Sequence, residues 1–123
     1  MRTAEIEING KKHLLCFNLW ALIECTERYG SLMGIDEAIK SEDEIKAINE
    51  TLWLLRTLMR GGEMYASESG IEVEKPIATD QVKALCSAAD IVKLKTKVLA
   101  AINAGMSTSI EVESSKNVET TQV

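Results

Sequence analysis

The run from Ser41 to Gly62 constrains this chain most. Ile45, Ile48, Leu52, Leu55 and Met59 recur at alternating spacings of three and four, and Trp53, Leu54 and Leu58 add a second apolar strip. Residues three and four apart share one face of an α-helix. A helix apolar over that much of its circumference has to be covered on two sides. It is therefore either the central helix of a small bundle or one side of a subunit interface. Ser41 and Glu44 have the spacing of a capping box, and Glu42, Asp43 and Glu44 set negative charge at the positive end of the helix dipole. Arg56 and Arg60 sit near the other end, where cations are favoured. Gly61-Gly62 predicts an end or a kink, and the polar stretch from Glu63 to Pro76 reads as a connection.

Upstream, Thr3 to Ile8 alternates polar and apolar residues, and Lys11 to Phe17 offers a return strand. Asn9-Gly10 lies between them. Both residues tolerate positive φ, so the pair favours a two-residue hairpin. An isolated hairpin is marginal in water, so this one must lie on helices or pair with another chain. Its free edge suggests self-association or pairing with a client strand.

Asn18 is an N-cap for a helix from Leu19 to Tyr29, with Gly30 as its stop and Leu19, Leu22, Ile23 and Thr26 as its apolar face. Ser31 to Lys40 is expected to hold a short helical piece around Asp36-Glu37-Ala38-Ile39. Thr79 is expected to cap a helix carrying Val82, Leu85 and Cys86. Asp90 is expected to cap another, with Ile91, Leu94, Val98 and Ile102 on one face and Gly105 after it. Beyond Met106 the pattern collapses into Ser, Thr and charged residues. The expected architecture is mainly α (α+β by strict count), with the hairpin (3–17) packed on a bundle of about four to five helices. One domain covers 1–105, and 106–123 form a disordered polar tail.

The chain carries 14 basic and 19 acidic residues, a net charge of −5. A basic footprint for phosphates is missing, which argues against nucleic acid or an anionic membrane as a partner. No apolar run approaches the roughly 18 residues of a spanning helix, and Met1 to Glu5 leads into no signal sequence. Cys16, Cys25 and Cys86 are odd in number and lack C-x-x-C spacing, as suits a reducing cytosol.

Reactive constellations are sparse. His13 and Cys16 form an H-x-x-C pair, but a strand turns them to opposite faces and no second ligand pair exists. His13 therefore reads as a core histidine. Glu24 and Glu27, and the Glu42-Asp43-Glu44 cluster, read as solvated faces. Gly61-Gly62 lacks the remaining residues of a phosphate loop. No catalytic, metal or cofactor residue is expected. Trp20 and Trp53, with Leu54 and Leu58, are the candidates for partner contact, because tryptophan is favoured in interface hot spots.

Three blocks carry a resemblance: strand–Asn9-Gly10–strand, then FNLWALIECTERYGSL (Phe17 to Leu32), then EIKAINETLWLLRTLMRGG (Glu44 to Gly62). The first helix closes on Glu27, Arg28, Tyr29 and Gly30, and the long one runs through Trp53 to Gly62. Over roughly residues 5–104 this arrangement resembles the tail assembly chaperones of long-tailed bacteriophages. The resemblance implies a non-enzymatic protein of the bacterial host cytoplasm. It would bind the tape measure protein, help recruit tail tube protein, and be absent from the mature virion. It also implies a longer frameshifted form, and Ser115-Lys116-Asn117 is compatible with a slippery codon run. The residues leave two further readings open, a small helical adaptor or scaffolding protein and an antitoxin-like DNA-binding regulator.

Overall fold

The computed structural model describes residues 2–107. Within them lie two antiparallel strands, β1 (Thr3–Ile8) and β2 (Lys11–Cys16). Five helices follow: α1 (Leu19–Tyr29), α2 (Leu32–Ile39), α3 (Glu44–Ser69), α4 (Thr79–Leu85) and α5 (Ile91–Gly105). A 3₁₀ turn, Ala88–Asp90, leads into α5. The expected mainly helical fold with an N-terminal hairpin is the one observed. The expected tail lies, from residue 108 onward, outside the described residues.

The hairpin closes as its sequence demands. Asn9 (φ 54°) and Gly10 (φ 79°) form a type I′ turn, whose twist matches that of the strands. The register pairs Ile6 with His13 and Ala4 with Leu15. Residues directly opposite share a face, so Ile6, Ile8, His13 and Leu15 are buried together while Glu5, Glu7 and Lys12 stand in water. A two-residue turn makes Ile8 and Lys11 the first hydrogen-bonded pair. Bonding then alternates, so the backbone groups of Leu14 and Cys16 point away from β1.

The outer edge of β2 is where α3 lies. A methyl group at Gly61 would sit on the Cys16 carbonyl oxygen, and one at Gly62 on that of Leu14. The two glycines are thus a notch that lets the helix backbone approach the strand edge. They do not end the helix. It runs on for two turns to Ser69 and stops at Gly70, which adopts left-handed φ (71°). Helical glycine is unfavourable mainly through backbone freedom and exposure. Both glycines are buried here, and any side chain would hold the two elements apart. The polar connection therefore starts at residue 71.

Other ends also differ from expectation by a few residues. The N-cap of α3 is Asp43, whose carboxylate accepts from the Lys46 N–H at 3.2 Å. Ser41 Oγ instead accepts from the Asp43 N–H at 3.1 Å, closing a turn one step earlier. Thr79 is the first residue of α4 and Ala78 its cap, with Gln81 Oε1 accepting from the Ala78 N–H. Asp90 holds the N-cap position of α5 as expected, but its carboxylate accepts from the Ser87 N–H in the 3₁₀ turn and not from α5. Ser31 caps α2, which fills the segment expected there between Ser31 and Lys40.

The core gathers around α3. Leu52, Leu54, Leu55, Leu58 and Met59 meet Ile6, Leu15 and Phe17 from the hairpin side, Ala21 and Cys25 from α1, Ile35 and Ile39 from α2, and Leu94, Val98 and Ala101 from α5. The choice left open by the apolar strips is settled: α3 is the central helix of a small bundle. Its buried hydroxyls are satisfied locally, Thr51 Oγ1 donating to the Ala47 carbonyl and Thr57 Oγ1 to that of Trp53. At its first turn Ala47 faces inward, which leaves Ile45 73% exposed.

Candidate functional site

The most elaborate polar arrangement is where α1 meets α3. Asn18 begins it. Its Oδ1 accepts from the Ala21 N–H at 2.9 Å, capping α1, and its Nδ2 donates to the Gly61 carbonyl at 3.4 Å. From that point α1 runs antiparallel to α3. The Arg60 guanidinium covers the Trp20 ring at 4.8 Å near one end. At the other end Arg28 donates to both oxygens of Glu50, Nε to Oε1 at 2.8 Å and NH2 to Oε2 at 3.0 Å. Tyr29 O–H donates to Glu50 Oε1 at 2.6 Å. Tyr29 and Trp53 meet edge to face, centroids 5.7 Å apart, and the Arg28 guanidinium lies 4.4 Å from the Trp53 ring.

Electrostatics fixes the charge states of this group. The hydrogen bond from Arg28 holds the Glu50 carboxyl below the usual glutamate range, against the opposing effect of burial. Burial, followed by the adjacent Glu50 carboxylate, pushes the Tyr29 phenol well above its ordinary value. The trio is thus guanidinium, carboxylate and neutral phenol around neutral pH. An open cleft of about 420 Å³ adjoins it between α1, α2 and the start of α3, with Arg28 and Lys46 set against Glu37 and Glu50. Such a cleft suits recognition of a polar, mixed-charge surface.

The residues expected to contact a partner divide. Trp20 and Trp53 are half-buried, each with one side against the core and an arginine over its ring. Leu54 and Leu58 are fully enclosed at 0% exposure, so they are core residues and not partner contacts. The second strip of α3 is buried because α3 is central. The expected apolar face of α1 is also corrected. Ala21 and Cys25 face inward, small enough for α1 to lie close to α3, while Leu19 (76% exposed) and Ile23 (56%) project into solvent one turn apart. Met33 of α2 and Ile45 of α3 are similarly exposed.

Sequence reasoning missed the Arg28–Glu50–Tyr29 group. Its only trace was Arg28-Tyr29 closing α1 and Glu50 lying one turn before Trp53. Those signals join only once the antiparallel pairing of the two helices is known.

His13 is 2% exposed on the inner face of the hairpin, and its Nδ1 has no hydrogen-bond partner among the described residues. Burial lowers its pKa, opposed in part by Glu74. Cys16 faces the other way, as expected for a strand. Cys16 and Cys25 are buried and Cys86 is half-buried, all with free thiols. Among the described residues no cluster of three His, Cys, Asp or Glu side chains is placed to hold a metal, and no helix is long and apolar enough to cross a membrane. No protein-family model matches the chain, and neither a curated protein nor a solved structure is significantly similar to it.

Proposed function

We propose that this chain is a tail assembly chaperone of a long-tailed bacteriophage. In this reading it acts without catalysis in the host cytoplasm, binds the tape measure protein, helps recruit tail tube protein and is absent from the finished virion. The observation that carries the reading is the outer surface of α1. Two of the three sequence blocks bearing the resemblance, Phe17 to Leu32 and Glu44 to Gly62, pack against each other through Asn18–Gly61 and Arg28–Glu50. That packing turns Leu19 and Ile23 outward as an apolar strip. A holdase for a long helical client needs such a strip, because an amphipathic client helix docks through residues three and four apart. The acidic balance of the chain keeps the loaded complex soluble.

Co-expression tests the reading. The wild-type chain should keep a fragment of the tape measure protein encoded in the same genome soluble, and Leu19→Asp with Ile23→Asp should lose that ability while still folding. Insoluble fragment in the presence of folded wild-type protein would end the proposal.

A further inference from the structure

The hairpin has two edges, and only one is covered. The β2 edge is closed by the Gly61-Gly62 notch. On β1 the alternation of hydrogen bonds sends the backbone N–H and C=O groups of Thr3, Glu5 and Glu7 outward. The sheet is two-stranded, and no other element bonds to those groups among the described residues. Glu5 and Glu7 are exposed and project from the same face. On the opposite face, beside this edge, lies a cleft of about 140 Å³ whose apolar lining includes Ile6, Ile8, Leu85, Cys86 and Leu94. Leu85 stands 48% exposed.

We propose that the β1 edge and this cleft form a docking site for an extended segment of a partner polypeptide in which lysine or arginine alternates with aliphatic residues. Backbone pairing along Thr3–Glu7 supplies the affinity common to strand addition, and side chains of alternating direction supply the specificity. Side chains on one face of the added strand meet Glu5 and Glu7, which select cations. Those on the other face lie over the cleft. The cleft is open and Asp90 and Lys93 also line it, so its volume has room for about one aliphatic side chain, seated against Ile6, Ile8 and Leu85. A second copy of this chain fits poorly. Antiparallel β1–β1 pairing centred on the strand would set Glu5 opposite either Glu5 or Glu7 of the other copy, and like charges directly opposite are destabilising.

The test uses the full chain, ¹⁵N-labelled, and an acetylated octapeptide with lysine at alternate positions and valine or leucine between them. At saturation, hydrogen exchange at the Thr3, Glu5 and Glu7 amides should slow at least tenfold. Affinity should fall at least tenfold with Glu5→Lys plus Glu7→Lys, with Leu85→Glu, and with a peptide N-methylated at its edge-facing amides. Unchanged exchange at those three amides overturns the proposal. So does equal binding of the methylated peptide, which would mean charge attraction alone. A wild-type dimer in light scattering that Glu7→Pro converts to monomer would make a second copy the occupant and overturn it too. Each of these readouts is independent of the tape measure fragment.

Discussion

Gly62→Ala pits a local preference against a tertiary one, and the two predict opposite signs. In an isolated helix, alanine in place of glycine is favourable by about 1 kcal/mol. In this fold the new methyl would overlap the Leu14 carbonyl oxygen. That neighbour is backbone, held in β2 by its pairing with β1, so it has no rotamer to escape into. Overpacking of this kind costs about 1–3 kcal/mol, and a clash with backbone belongs at the upper end. Setting about 3 against about 1 leaves a net loss of about 2 kcal/mol. Domains of this size have about 5–15 kcal/mol in total. With a urea slope of about 2 kcal/mol per M, the midpoint should drop by about 1 M at unchanged slope. Ser67→Ala, at an exposed α3 position, should change stability by no more than about 0.5 kcal/mol. Gly61→Ala should behave like Gly62→Ala. The double variant should lose less than the sum, because one outward shift of α3 relieves both overlaps. A rise in midpoint for Gly62→Ala would refute the notch and restore the glycines as mere interruptions of the helix.

Three more outcomes follow from the geometry. Asn18→Ala removes both the α1 cap and the bond to Gly61 and should cost about 1–2 kcal/mol in chemical denaturation, whereas Asn18→Asp keeps the cap and should lose less. The Glu50 carboxyl is held below its unfolded pKa of about 4.3, so its contribution is present above that value and is lost as pH falls through the lower folded value. Urea midpoints between pH 6 and pH 3 should therefore decline more steeply for wild type than for Glu50→Gln, and parallel curves would contradict the Arg28 pairing. Burial raises all three thiols, Cys25 to about 11, so access decides the order: at pH 8 iodoacetamide should label half-buried Cys86 first, with Cys16 and Cys25 labelled only on unfolding. Early labelling of Cys25, read by peptide mass mapping, would show that α1 does not lie on α3 as described.

Some of this molecule is fixed within a few residues of chain. Asn9-Gly10 makes its turn because both residues accept positive φ, and Asn18 and Gly30 bound α1 because a carboxamide caps free amides and a glycine adopts left-handed φ. None of these needs a distant partner. The apolar spacing of α3 likewise announced a helix covered on two sides. Tertiary structure decided whatever depends on what lies across the gap. Gly61-Gly62 reads locally as a stop, yet it is a point of contact because the edge of β2 arrives there. Leu19 and Ile23 are large apolar side chains of α1, yet Ala21 and Cys25 are the ones that face inward, because the face set against α3 is fixed by the packing of the two helices and not by side-chain size. Arg28 and Tyr29 are ordinary neighbours in sequence, Glu50 lies 22 and 21 positions further on, and only the antiparallel packing of two helices makes them one group. Local sequence sets backbone conformation over a few residues, and the choice of face and neighbour belongs to the packing of the whole chain.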